Sequence, residues 1–174
     1  MLANVSTVDD VEWLDPQQQA AWIRLVALME VLPGAIDAQL KRDSGMNRFE
    51  YMVLAGLCDA EDNTLPMSEL ALLATGSLSR LSHALNRLEA KGWVERRPCG
   101  VGRRVDVVLT DAGAAANADA AVGHVREARR LVVDALSRNQ LTQLGKAAAA
   151  ILAAAEPEVS ETVEATITRI LARR

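Results

Sequence analysis

Residues 75–113, TGSLSRLSHALNRLEAKGWVERRPCGVGRRVDVVLTDAG, run a serine-capped amphipathic helix directly into a small arginine-rich hairpin. Ser77 carries a hydroxyl that can accept from the free N–H groups of a first helical turn. Leu78, Leu81, Leu85 and Leu88 follow at helical spacing, which predicts a helix to about Lys91 with these four on its inner face. Ser79, Arg80, Ser82, His83, Asn86 and Arg87 are left outside or at the margin, and Gly92 stops the helix. Two strands are expected next, over about 93 to 98 and 103 to 109. Val105, Val107 and Leu109 alternate inward, Arg104 and Asp106 face out, and Pro98 to Gly102 form the hairpin tip. Upstream, Ser68 is positioned to cap a short helix to about Ala74, and Thr75 with Gly76 supplies the turn. The two helices read as a helix-turn-helix.

A helix with short polar groups at its amino end can enter a major groove. A basic hairpin beside it reaches the neighbouring backbone or minor groove. Ser77, Ser79, Arg80, Ser82 and His83 occupy the first turns of that helix, where hydroxyls can donate to phosphates or base edges and Arg80 can make two bonds to a guanine. The competing reading is a solvated helix face; the helix before and the basic hairpin after weigh against it. Arg96, Arg97 and Arg104 suit phosphate contact, with ordinary surface charge as the alternative.

The charge of the chain is partitioned. The net charge is −4, yet residues 1–62 hold 4 basic and 11 acidic groups, residues 63–110 hold 7 basic and 4 acidic, and residues 111–174 hold 8 of each. A positive block inside an acidic chain is the electrostatic footprint of a local binding surface. Half of the 174 residues are apolar but only five are aromatic, so Leu, Val, Ile and Ala must build the core, which favours packed helices. That length suits one well-buried domain, or a small module flanked by helices. The longest purely apolar stretch, Ala147 to Ala155, is nine residues, against about 20 for a bilayer span, so no membrane segment is expected. Two cysteines are too few for a disulfide framework, and the acidic amino terminus MLANVSTVDDVEW is unlike a secretory leader, which points to the cytoplasm.

Outside the central stretch, Trp22, Leu25, Val26, Met29, Leu32, Ile36 and Leu40 predict a long helix from Gln17 to about Lys41, kinked or broken near residues 30 to 33 by Pro33 and Gly34. Asn47 and Glu50 resemble a capping box opening a helix to about Ala60, and Glu61 to Pro66 reads as a loop. After Thr110, a plausible cap, helices are expected to about Leu136, from about Gln140 to Ala155, and over residues 158 to 173.

With these elements in order, the sequence resembles the MarR family of winged helix-turn-helix transcriptional regulators. LSRLSHALNRLEAKGWVERRP followed by RRVDVVLTDAG is similar to that family's recognition helix, wing strands and LT-x-x-G approach to the next helix. WLDPQQQAAW and GHVREARRLVVDAL look like the flanks of actinobacterial members. The resemblance implies a mostly α fold with a small β-hairpin wing. One MarR-like domain would fill residues 1–174, with a winged helix-turn-helix module at 64–110 flanked by long dimerisation helices at 12–62 and 111–174. It also implies a homodimer on double-stranded DNA at a pseudo-palindromic operator. Arg103 aligns with the family's wing-tip arginine, seven positions before Thr110. Val101 stands where the family often has Asp, and the tip is one residue shorter, so an orienting salt bridge is absent there.

Many relatives are repressors released by a small aromatic ligand. Trp22, Met29, Met46, Phe49 and Tyr51 could line such an effector pocket, because Met and aromatic side chains suit adaptable apolar sites. Core packing is the alternative for each. Cys58 lies on an apolar helix, whereas Cys99 beside Arg96 and Arg97 could have a lowered thiol pKa. His83 has only the distant His124 for company, so no metal site is expected, and no cofactor. No phosphate loop, nucleophile elbow or metal-ligand cluster points to an enzyme. The competing function is a winged-helix dimer acting as a protein-interaction adaptor without operator binding.

Overall fold

The computed structural model describes residues 11–98 and 104–172. They fall into two compact units, the first ending at Ala35 and the second beginning at Ile36. The fold is mostly α with a small antiparallel sheet, as expected.

The first unit holds most of α1, Pro16–Ser44. Pro16 opens the helix, where its missing N–H costs nothing. Asp15 is the cap: its carboxylate accepts from the N–H groups of Gln17 at 2.7 Å and Gln18 at 2.8 Å, while the Gln18 amide oxygen accepts from the Asp15 N–H at 2.9 Å. Of the kink or break expected near Pro33, the break does not occur, since α1 is continuous over 29 residues. Proline removes one ladder bond, and a long helix on either side retains the rest. By length and composition this helix is also apolar enough to cross a membrane, although Arg24 and Glu30 interrupt its apolar runs.

The second unit contains the core. Asn47 caps α2, Arg48–Cys58, through the predicted capping box with Glu50. The segment expected to be a loop carries a third strand, β1, Thr64–Pro66. Its three residues are too few for an alternating pattern to be read, but buried Leu65 pairs with Val107 of β3. The sheet order is β1-β3-β2, with β2 at Val94–Pro98 and β3 at Val105–Leu109. Pro66, not Ser68, stands at the N-cap of α3, Met67–Leu73, and no side chain caps it.

The α3–α4 turn explains the order Thr75-Gly76. The N–H of Gly76 donates to the Ala71 carbonyl at 2.9 Å and that of Thr75 to Leu72 at 3.0 Å, a Schellman closure. That closure puts Thr75 at a φ of 51°, a left-handed position that favours glycine. The glycine is needed one residue later, because a Cβ at Gly76 would run into the Phe49 ring, with Cζ at 2.7 Å.

α4, Leu78–Ala90, begins at Ser77, whose hydroxyl accepts from the Arg80 N–H at 3.2 Å. It buries Leu81, Ala84, Leu85 and Leu88. Leu78, expected to be buried with them, is 54% exposed in the first turn. A second Schellman closure ends the helix at Gly92, φ 71°, with the Trp93 N–H on the Leu88 carbonyl at 3.0 Å and the Gly92 N–H on Glu89 at 2.8 Å.

Thr110 locks the far side of the wing. Its hydroxyl donates to the Gly92 carbonyl at 2.7 Å and accepts from the Gly113 N–H at 3.1 Å, and its own N–H donates to the Trp93 carbonyl at 3.1 Å. A side chain at Gly113 would collide with that Trp93 carbonyl and with Leu109. The LT-x-x-G pattern is therefore a packing requirement. α5, Asp111–Ala128, gives way to a wider turn at Arg129–Val133, then α6, Arg138–Ala155, and α7, Pro157–Ala172. Ser137 caps α6 through a capping box with Gln140.

Candidate nucleic-acid interface

The outer face of α4 presents Ser79, Arg80, His83, Asn86 and Arg87 exposed, with Ser82 half-buried. This follows from the helical period, which turns the buried residues at 81, 84, 85 and 88 the other way. Ser77 spends its hydroxyl on the cap.

Arg80 is held by an aromatic ring. Its guanidinium carbon lies 4.3 Å from the centroid of Phe49, which is only 3% exposed. A desolvated ring face attracts a cation and limits its rotamers without occupying its N–H donors. Arg80 has no carboxylate partner among the described residues.

The other described arginines of α4 and the wing are paired. Arg87 donates from Nε to Glu50 Oε1 at 2.5 Å, and the Glu50 side chain is 5% exposed. The second oxygen of Glu50 accepts from the Asn47 N–H at 3.1 Å, so this buried carboxylate both caps α2 and anchors α4. Arg96 on β2 binds Glu89 of α4: its backbone N–H donates to Oε1 and its Nε to Oε2, each at 3.0 Å, and Nη2 makes a further contact to Oε2. The hydrogen bond from Arg96 holds the Glu89 carboxyl below its usual pKa, against the opposing effect of burial. Nη2 of Arg96 also donates to Asn86 Oδ1 at 2.6 Å, which joins the wing to the helix. Arg97 pairs with Glu95 at 2.7 Å and Arg104 with Asp106 at 3.4 Å, both on the surface. Arg103, Val101, Cys99 and the hairpin tip lie outside the described residues.

Sequence reading found the basic side chains but not what holds them. Glu50 is 37 residues from Arg87 in the chain, a separation that leaves no local signal. Glu89, seven residues before Arg96, was findable from the helix-to-strand turn between them. Phe49 reads from sequence as a core or pocket aromatic, with no sign that it lies under Arg80.

The five residues expected around an effector are placed as follows. Trp22 and Met29 belong to the first unit and are 54% and 52% exposed; Met46, Phe49 and Tyr51 are in the core of the second. The Tyr51 ring lies 4.5 Å from that of His124, whose pKa is lowered by burial. Burial also raises the Cys58 thiol, partly offset by a hydrogen bond from Asn117 at 3.3 Å, so this cysteine is not activated.

A helix-turn-helix followed by a strand-paired basic wing defines the winged-helix class, and the comparisons are consistent with it. The MarR family model matches residues 44–105. Sco3205, a MarR family transcriptional regulator from Streptomyces coelicolor solved in complex with DNA, is similar with a TM-score of 0.81 and 35% identity, over 86% of this chain and 94% of that one. AbsC, a MarR family regulator from the same organism, is similar with a TM-score of 0.73 and 32% identity, over 79% of this chain and 93% of that one. CouR from Rhodococcus jostii RHA1, solved bound to p-coumaroyl-CoA, shares the fold at 16% identity and a TM-score of 0.66, over 87% of this chain and 96% of that one. No curated protein matches the chain. The chain belongs to the MarR family of transcriptional regulators.

Proposed function

We propose that this protein is a sequence-specific DNA-binding repressor that acts in the cytoplasm as a homodimer on a pseudo-palindromic operator, released by a small aromatic effector. The observation that carries the DNA reading is Arg80, stacked on Phe49 at the exposed amino end of α4 with its N–H donors available. In this reading Arg80 and His83 meet base edges. Arg87 and Arg96, oriented by Glu50 and Glu89, place their remaining donors on phosphates, as do Arg97 and Arg104. Arg103 enters the minor groove. The module spans 64–110, and the helices of 12–62 and 111–174 form the dimer.

Dimerisation is supported by apolar side chains that their own units leave open: Trp22, Ile23 and Val31 in the first, and Val122, Leu144 and Ile151 in the second. Two copies of α4 about 34 Å apart would meet successive major grooves on one face of the duplex. Selection from random duplexes tests the proposal. It predicts enrichment of a two-fold symmetric sequence whose affinity falls steeply with salt, log K dropping by about 0.9 per phosphate contact per decade. Enrichment of nothing, with a protein partner co-purifying instead, would favour the adaptor.

A further inference from the structure

The cleft enclosed by α2, α3 and α7 has the chemistry of a binding site. α7 packs against α3 and α6, and together with α2 it leaves a cavity of about 250 Å³. Met52 and Ala55 of α2, Leu73 of α3, and Val163, Ile167 and Ile170 of α7 make its walls apolar. The one ionised group on the wall is Asp59, the C-cap residue of α2.

Asp59 is badly placed for an isolated anion. The end of a helix already carries partial negative charge on its free carbonyls, so a carboxylate there calls for a cation. Among the described residues the Asp59 carboxylate has neither an ion pair nor a hydrogen bond. Arg169 of α7 approaches, but its Nη1 donates to the Asp59 backbone oxygen at 3.2 Å. Thr166 also faces the cavity, and its hydroxyl is spent on the Thr162 carbonyl at 2.9 Å. The half-buried Asp59 carboxylate, on the wall of an apolar cleft, is thus left without a direct partner of its own among the described residues.

We propose that this cleft binds a small apolar amine, a single ring bearing an ammonium group, with the ring between α2 and α7 and the ammonium on Asp59. The volume lies just below the range of about 300 to 1,000 Å³ typical of larger ligands, which suits a single ring. None of the five residues expected around an effector lines it. Leu73, the last residue of α3, stands two positions before Thr75, where the positive φ fixes the turn into α4. A ligand seated on Leu73 therefore presses on the joint that aims α4, a regulatory consequence that rests on the DNA reading; the binding itself does not.

The test is a titration of the full chain with benzylamine and with its neutral analogue of similar shape, benzyl alcohol. It is followed by calorimetry and by NMR of the Leu73, Ile167 and Ile170 methyl groups. The expected result is saturable methyl shifts with benzylamine, binding about tenfold tighter than benzyl alcohol through the charge-assisted contact. Asp59→Asn should erase the preference, and Ala55→Leu, which fills the chamber, should remove binding of both. No saturable methyl shift, or a benzylamine preference that survives Asp59→Asn, would overturn the proposal. A larger side chain at position 55 also strains the core, so the wild-type shifts decide the matter without that variant. No duplex is present in this titration. Its failure leaves the DNA reading standing, and a failure of duplex binding leaves this site standing.

Discussion

α4 turns Leu81, Ala84, Leu85 and Leu88 into the core of its own unit, whereas α6, 18 residues long in the same unit, buries none of its residues and leaves Leu144 and Ile151 open. Both helices have a serine cap that accepts an N–H at the third helical position, and both carry apolar residues at helical spacing. The period identifies which side chains need covering. It does not say whose surface covers them. α4 is completed by its own chain, whereas α6 keeps an apolar side open that the proposed dimer would cover.

Truncation should separate the two most strongly. Leu85→Ala opens a cavity in the core and should cost about 2 to 5 kcal/mol in urea unfolding. Leu144→Ala should change the stability of the isolated chain by only about 0.5 kcal/mol or less. The charged pair Leu144→Glu with Ile151→Glu should instead shift sedimentation from dimer toward monomer while the circular dichroism spectrum is unchanged. An unaltered dimer would remove α6 from the interface.

The joint that delivers α4 to its seat gives the next effects. Gly76→Ala pushes a methyl into the Phe49 ring and should cost about 1 to 3 kcal/mol by overpacking. Thr75→Gly relaxes a left-handed β-branched residue and should stabilise by up to about 1 kcal/mol in the same assay. If Thr75→Gly destabilises instead, the account of that turn is wrong.

Acid should loosen the α2–α5 packing before it reaches the clamp between α4 and the wing. Burial depresses the His124 pKa below its ordinary 6.5, so the unfolded chain binds its proton first; stability is full above that value and falls as the pH drops through the folded pKa. Glu89, depressed below 4.5 by Arg96, contributes above its ordinary value and loses that contribution at lower pH still. His124→Phe should flatten the first fall in a plot of unfolding midpoint against pH, and Glu89→Gln the second.

The contrast also marks what was legible. Ser77, Gly92, the two wing strands and Thr110 could be read from sequence because each depends on neighbours within a few residues. β1 could not, since a three-residue strand has no period and its partner β3 lies some forty residues on. Of the kink or break expected at Pro33, the break is absent, because one lost hydrogen bond leaves the rest of a long helix in place. Phe49 could be read as an adaptable aromatic, for an effector pocket or for the core, but not with its neighbours. Only the fold brings it under Arg80 and against Gly76. The candidate interface was thus visible as a set of basic residues, and the buried partners that aim them were not.

Arg80 tests the account most directly. Fluorescence anisotropy of a selected duplex at fixed salt should show Arg80→Ala weakened by about 1 to 3 kcal/mol, roughly five- to 150-fold, with base preference relaxed at one position of each half-site. Arg138→Ala on α6 should bind like the wild type. Unchanged affinity and unchanged preference in Arg80→Ala would contradict the assignment of α4 as the reading helix.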